Sequence, residues 1–381
     1  MELTPQFNAF LAEIRPTVRQ KEDWRTGSKT LRDRLEADDD LKSIVVATFL
    51  QGSVRRATAV KPMSGKRPDV DIVVATTLDY TQTMPDEAMK KFVPFLDKYY
   101  KGKWRRQDRS FGIELSYVDL DLVITALPID PSARRLVEAL YRSDAVLTND
   151  TLEDAPSWKL NKSWSSDAFT SDEIAANDVL TEAAAETWKP HPLWLPDRAV
   201  QRWGRTHPLA QIQWTSSKNQ RCNRHYVNLV RAVKWWRLHN ADDLPKYPKG
   251  YPLEHMVGAS LGDGTESMAQ GVVEVFETMA IAWAHLAAAG DKPTLADHGV
   301  PEHDVLKRLE VADFKAFHAA AKDAADKARA ALNDTDAQSS AEKWRGLFGP
   351  CFPLPPSGGG DRPKGFVTPG APAQPKTERF A

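Results

Sequence analysis

"FLQGSVRRATAVKPMSGKRPDVDIVVAT", residues 49–76, decides how this chain is read. It holds a Gly-Ser pair, a basic loop, and two aspartates one residue apart at the edge of an apolar run. "SIVVATFL" (43–50) reads as a buried strand that stops at Gln51-Gly52-Ser53, and "DVDIVVAT" (69–76) reads as a second strand. A glycine there lets backbone N–H groups approach a phosphate, and the serine hydroxyl adds a donor.

Side chains alternate across a strand with period two. Asp69, Asp71 and Val73 therefore share one face, and Val70, Ile72 and Val74 take the other. Further on, "VDLDLVI" (118–124) repeats the pattern: Asp119, Asp121 and Val123 against Val118, Leu120, Leu122 and Ile124. If the two strands are neighbours, their carboxylates converge on one patch. Such a patch repels itself unless a cation neutralises it. Ligands that are all oxygen favour Mg²⁺ or Mn²⁺ over zinc.

Working outward, Thr4 is expected to cap a helix running through Pro5 to Ile14, and a second helix is expected over 17–36. "PDEAMKKFVPFLDKYY" (85–100) is helical in composition, with Pro94 kinking or breaking it. "FGIELSYVDLDLVITAL" (111–127) is long enough for two strands in a hairpin, and Asp130-Pro131 starts another helix. Beyond residue 150 the strand signal fades. Helices are expected over 171–188, 197–206, 221–240, 251–261, 266–289 and 304–332. The chain thus divides into an α/β half, 1–150, that includes the N-terminal helices, a helical half, 151–350, and a Pro/Gly-rich tail, 351–381, expected to be disordered. A cleft between two such halves is a favoured place for an active site.

The totals narrow the class. A net charge of −1 says nothing about partners, so any binding of polyanions must come from local clusters. Two cysteines make no disulfide framework, so a reducing, cytoplasmic setting is expected. No run reaches the ~18–20 unbroken apolar residues of a membrane span, so no membrane partner is expected. Nine histidines lie scattered without zinc-site spacing.

The set Gln51-Gly52-Ser53, Thr58, Asp69-Val70-Asp71 and Asp121-Leu122-Val123 resembles the polymerase-β-type nucleotidyltransferases. Within them it is most similar to the bacterial cyclic-oligonucleotide synthases related to cyclic GMP-AMP synthase and oligoadenylate synthetase. Ala57-Thr58 stands where the family often has Gly-Thr. The resemblance implies an α+β, bilobed fold: a polymerase-β-like nucleotidyltransferase core with a mixed sheet, plus a helical, oligoadenylate-synthetase-like second domain. It implies that Asp69, Asp71 and Asp121 hold two Mg²⁺ ions, with Asp119 the reserve for Asp121. It implies that Ser53 and the backbone at Gly52 grip the β- and γ-phosphates, and that Gln51 touches the donor nucleotide. A ribose hydroxyl would then attack the α-phosphorus in line and pyrophosphate would leave.

In the helical half, Tyr226, Leu229, Val230 and Val233 form an apolar stripe, with Arg224, Asn228, Arg231 and Lys234 on another face. A solvated basic face is the plain alternative for Arg224 and Arg231. "LVRAVKWWR" (229–237) fits the helix whose lysine, here Lys234, reaches the triphosphate in the resembled family. Tyr251 matches a base-stacking tyrosine or serves as a helix-start core residue, and Gly250 stands where the family has a small polar residue. "KGKWRRQDR" (101–109) is a nucleotide-facing lip, a nucleic-acid patch or a solvated hairpin.

The function implied is synthesis of a cyclic di- or trinucleotide messenger from ATP and/or GTP, in antiphage defence. The alternatives are a transferase that modifies RNA or a protein, and an inactive nucleotide- or RNA-binding member. Activation by DNA is not expected. The tail, ending in Ala381, could enter the active site of a ubiquitin-ligase-like partner, or could simply fray.

Overall fold

The alternating apolar runs 43–50, 69–76 and 118–127 do form one sheet. The computed structural model describes residues 1–63, 65–142 and 186–356. Strand β1 (Val45–Gln51) pairs antiparallel with β2 (Asp69–Thr76), and β2 pairs in parallel with β5 (Asp119–Ala126). The two short strands β3 (Trp104–Arg106) and β4 (Phe111–Glu114) extend the sheet in the order β1-β2-β5-β4-β3. The 111–127 run is thus the expected hairpin. The 101–109 run supplies the edge strand β3.

Helices α1 (Thr4–Ile14) and α2 (Val18–Ala37) come first. Thr17 caps α2 in a reciprocal box with Gln20, while Thr4 lies inside α1 and Leu3 precedes it. The one-turn α3 (Gly52–Arg55) follows β1 directly. Pro94 does break its segment, giving α4 (Pro85–Lys90) and α5 (Val93–Tyr100). Asp130 accepts from the Ser132 and Ala133 amides and starts α6 (Pro131–Tyr141).

Both faces of the sheet are covered. Val70, Ile72, Val74, Leu120, Leu122 and Ile124 pack with Trp24, Leu31 and Phe92 on one side. Phe49, Val73 and Ala75 pack with Tyr141, Trp188, Leu209 and Ile212 on the other. The odd-numbered face is therefore buried except at the end that carries the aspartates.

Residues 197–206, expected as helix, correct that expectation. They belong to the hairpin β6 (Leu193–Asp197) and β7 (Arg202–Thr206), which joins the sheet through Ala126 opposite Trp194. Charged and polar residues at Arg198, Gln201, Arg202 and Arg205 imitate a helix face, but Asp197 accepts from the Ala199 and Val200 amides and turns the chain back. The expected helix over 171–188 lies mostly outside the described residues, as does the tail from 357 onward.

The helical lobe contains α7 (Pro208–Arg221), α8 (Tyr226–His239), α9 (Tyr251–Ser260), α10 (Met268–Ala282), α11 (Ala284–Ala289), α12 (Val311–Leu332) and α13 (Ala337–Phe348). Phe7 and Phe10 of α1 pack into its core with Trp344, Phe348 and Phe352, so the first helix joins this lobe rather than the sheet. Residues 268–289 are long and apolar enough, by composition, to cross a membrane. The run breaks at Trp283 and buries Val272, Phe276 and Met279 in the same core.

Candidate active site

The parallel register sets Asp69 beside Asp119 and Asp71 beside Asp121, which puts all four carboxylates on one face of adjacent strands. The antiparallel register of β1 sets Gln51 beside Asp71. Gly52 follows with φ of +70°, a backbone region costly for any other residue. A Cβ there would fall 1.8 Å from Asp71 Oδ2, so the glycine also makes room for the carboxylate. The Ser53 carbonyl accepts from the Thr58 and Ala59 amides and folds the following loop back on the turn.

A cavity of about 440 Å³ opens between the sheet and the helical lobe. Gln51, Gly52, Ser53, Asp69, Asp71, Asp121, Lys234 and Tyr251 all line it, so every predicted site residue reaches one space. Asp119 does not line it. Its carboxylate accepts from Arg67 Nε at 2.8 Å, outside the cleft. Asp121 accepts from Gln107 Nε2 at 3.0 Å, and Arg109 lines the cavity, so the 101–109 segment does place side chains at the site.

The carboxylates carry the mark of crowding. Asp71 is pushed up to about 6 by burial and by Asp121, with Arg56 pulling the other way. Asp69 opens to solvent at the cleft mouth, but protein crowds its other sides. Desolvation and then Asp71, Asp121 and Asp119 push it up to about 7. Burial raises Asp121 as well, against the Gln107 hydrogen bond. No three His, Cys, Asp or Glu side chains among the described residues are drawn together at metal-ligand spacing. The donor set is nonetheless all oxygen and repels itself, which is what a hard divalent cation relieves.

Lys234 lines the cleft but is engaged. Its Nζ donates to Glu254 at 2.6 Å and to the Thr58 carbonyl at 3.1 Å. Glu254, fully buried, also accepts from Arg56 Nε at 3.1 Å. Burial alone would raise the Glu254 carboxyl, but Arg56 and Lys234 outweigh it and hold it down to about 2. Arg56 lies 4.8 Å from the centre of the Tyr251 ring. His255 meets the edge of that ring at 5.7 Å and stacks on His298 at 3.8 Å, which stacks on Trp214 at 3.6 Å.

Sequence reasoning missed Arg56, Glu254, Gln107 and Gln211. Glu254 falls one turn after Tyr251, and Arg56 stands in the Arg55-Arg56 pair after the Gly-Ser turn. Only their pairing, across 198 residues of sequence, shows what they do. The basic face proposed for α8 is corrected. Asn228 and Arg231 are buried, and Arg231 Nε donates to the Ala59 carbonyl. Arg224 precedes the helix in the left-handed region and is exposed.

Against this geometry, the relatives decide the family. A probable cyclic AMP-AMP-GMP nucleotide synthase of Salmonella paratyphi B is 58% identical over the whole of both chains. The chain belongs to the bacterial cyclic-oligonucleotide synthases. A cyclic AMP-AMP-GMP synthase of Enterobacter hormaechei is 57% identical, again over the whole of both chains. The family model described as the Second Messenger Oligonucleotide or Dinucleotide Synthetase domain matches residues 1–125 of the synthase.

Solved structures agree on the fold. CdnC of Escherichia coli MS115-1, in a complex with HORMA-deltaN, superposes with a TM-score of 0.61 at 16% identity, covering 92% of this synthase and 99% of that chain. CdnG of Bradyrhizobium diazoefficiens, in complex with GTP, gives 0.61 at 13%, covering 91% and 94%. The fold is therefore the expected α+β, bilobed nucleotidyltransferase, and the protein is a nucleotidyltransferase enzyme.

Proposed function

We propose that this synthase joins ATP and GTP into a cyclic trinucleotide of the AMP-AMP-GMP type. The observation that carries the reading is the parallel register that sets Asp71 beside Asp121, with Gln51-Gly52-Ser53 opposite, in a chain 57–58% identical end to end to cyclic AMP-AMP-GMP synthases.

Asp69, Asp71 and Asp121 would hold two Mg²⁺ ions, or Mn²⁺ in their place. When bound, such ions supply charge neutralisation and Lewis acidity for an in-line displacement at the α-phosphorus. The chain's own groups do the rest. The Gly52-Ser53 turn orients the β- and γ-phosphates with backbone N–H groups and a hydroxyl. Lys234 exchanges part of its bond to Glu254 for phosphate oxygen. Tyr251, held by Arg56 and His255, offers a ring on which a base stacks, worth ~1–3 kcal/mol. Asp121, beside the attacking ribose hydroxyl, would help to take its proton.

The family resemblance read from the sequence adds a role as a messenger-producing component of antiphage defence. A ubiquitin-ligase-like partner that acts on the Pro/Gly-rich tail is a proposal from sequence. Deletion of the last residues with unchanged conjugation in cells would end it.

The test is direct. Pure protein is incubated with ATP, GTP and Mg²⁺, and the phosphatase-resistant product is weighed by mass spectrometry. A cyclic product of two AMP and one GMP is expected. Labelled RNA or protein in place of a small product would overturn the reading.

A further inference from the structure

Gln211 lines the cleft from α7 and is 8% exposed. Its Nε2 donates to Asp297 Oδ2 at 3.0 Å. Asp297 is itself pinned, because its Oδ1 accepts from the Gly299 and Val300 amides at 2.8 and 3.1 Å. Gly299 is wedged against α7, where an added Cβ would meet His207 Cβ at 2.5 Å. The carboxylate position is thus set by backbone on one side and packing on the other.

This arrangement fixes the polarity of the amide. An ionised carboxylate accepts and cannot donate, so the Gln211 NH₂ must turn toward Asp297. The carbonyl Oε1 then faces the cleft, where Gln51 Nε2 stands 3.4 Å away. That contact is long for a hydrogen bond and leaves the oxygen able to accept from a better-placed donor. Tyr251 lines the same cleft as Gln211, and its buried hydroxyl has no hydrogen-bond partner among the described residues. One loop carboxylate therefore sets the polarity of an amide that shares its cavity with the Tyr251 ring.

We propose that Gln211 is a specificity-determining residue, accepting from the exocyclic amine of an adenine stacked on Tyr251, with Asp297 as the positioning residue that fixes its polarity. Adenine offers a donor at its six position, whereas guanine and hypoxanthine offer an acceptor there. An acceptor on the protein favours the first and repels the others. A tie between α7 and the 291–304 loop would by itself need no such orientation toward the cleft. The inference rests on the function proposed above, in which a base stacks on Tyr251.

The test compares ATP with inosine triphosphate in the full-length protein, with GTP and Mg²⁺ held constant. Pyrophosphate release gives kcat/KM, and mass spectrometry gives the base incorporated. Wild type should favour ATP by about tenfold or more, the worth of one buried hydrogen bond plus one avoided acceptor clash. Asp297→Asn retains an oxygen for the Gly299 and Val300 amides and turns an NH₂ toward Gln211. Gln211 must then present its own NH₂ to the cleft, so the preference should fall about tenfold, toward or past parity. Gln211→Leu should bring the ratio close to one. A purely structural tie would lower activity with both nucleotides alike and leave the ratio unmoved.

Equal use of the two nucleotides by wild type overturns the inference, and so does a wild-type ratio in both variants when each melts cooperatively. The wild-type arm stands even if a variant fails to fold. Wild type that releases pyrophosphate from no nucleoside triphosphate would instead overturn the proposed function, and this inference with it.

Discussion

On the sheet side of the cleft, Asp69, Asp71 and Asp121 crowd one another, and Asp69 and Asp71 are pushed up to about 7 and about 6. On the helical side, Glu254 is more deeply buried, yet it is held down to about 2 by Arg56 and Lys234. Desolvation acts on both groups in the same direction. The difference is compensation: the helical cluster carries its own cations, while the sheet cluster sets like charges side by side. The helical carboxylate is neutralised within the chain, whereas the sheet carboxylates are left in a repulsion that a bound cation would relieve.

The comparison breaks most sharply by mutation. Asp71→Ala should reduce product formation by about three orders of magnitude or more if Asp71 holds a catalytic cation as proposed. Its melting temperature without metal should hold or rise, because repulsion is relieved. Radiolabelled product formation and calorimetry check the two halves. Glu254→Ala should do the opposite to stability. It leaves Arg56 and Lys234 buried without their partner and should cost about 3–5 kcal/mol in a denaturant melt. Equal destabilisation by the two substitutions would erase the contrast.

Gly52→Ala tests whether the turn is shaped by the carboxylate beside it. The positive φ and the 1.8 Å approach to Asp71 Oδ2 predict a loss of about 1–3 kcal/mol together with product formation well below wild type. A variant with wild-type stability and turnover would mean the turn can relax at no cost.

The smallest effect is on pH. Native Asp69 and Asp71 keep protons that the unfolded chain has lost, so without metal their contribution to stability falls as pH rises from about 4 to about 7. Glu254 has the reverse sign. Its contribution is present above its ordinary value near 4.5 and is lost as pH falls toward about 2. The melting temperature of Asp71→Asn, measured in chelator, should therefore gain on wild type between pH 5 and pH 7.5, by roughly a few degrees at most.

The sheet side was legible in sequence and the helical side much less so. Strand alternation placed Asp69, Asp71, Asp119 and Asp121 on common faces, because period two translates directly into geometry once the strands pair. Alternation could not separate Asp119 from Asp121. That depended on Arg67, brought from a loop to Asp119, and on Gln107, brought from the lip to Asp121.

Helical periodicity showed which face of α8 is apolar but not that Arg231 would be buried, since its partner is the backbone carbonyl of Ala59. The β6–β7 hairpin was missed because its strands are short and rich in Trp, Pro and Arg, with tertiary pairing supplying what local pattern lacks. Glu254 and Asp297 are single acidic residues in unremarkable helix and loop text. Only contacts across 198 and 86 residues give them a role.

The central claim is that the aspartate cluster is completed by divalent cations. Titration of Mn²⁺ into the protein with a nonhydrolysable ATP analogue, followed by calorimetry at pH 7.5 and pH 5.5, tests it most directly. The account predicts saturable binding at pH 7.5 that weakens at pH 5.5, where Asp69 and Asp71 take up protons, and that is lost in Asp71→Asn. Mn²⁺ binding unchanged by that substitution and by pH would contradict it.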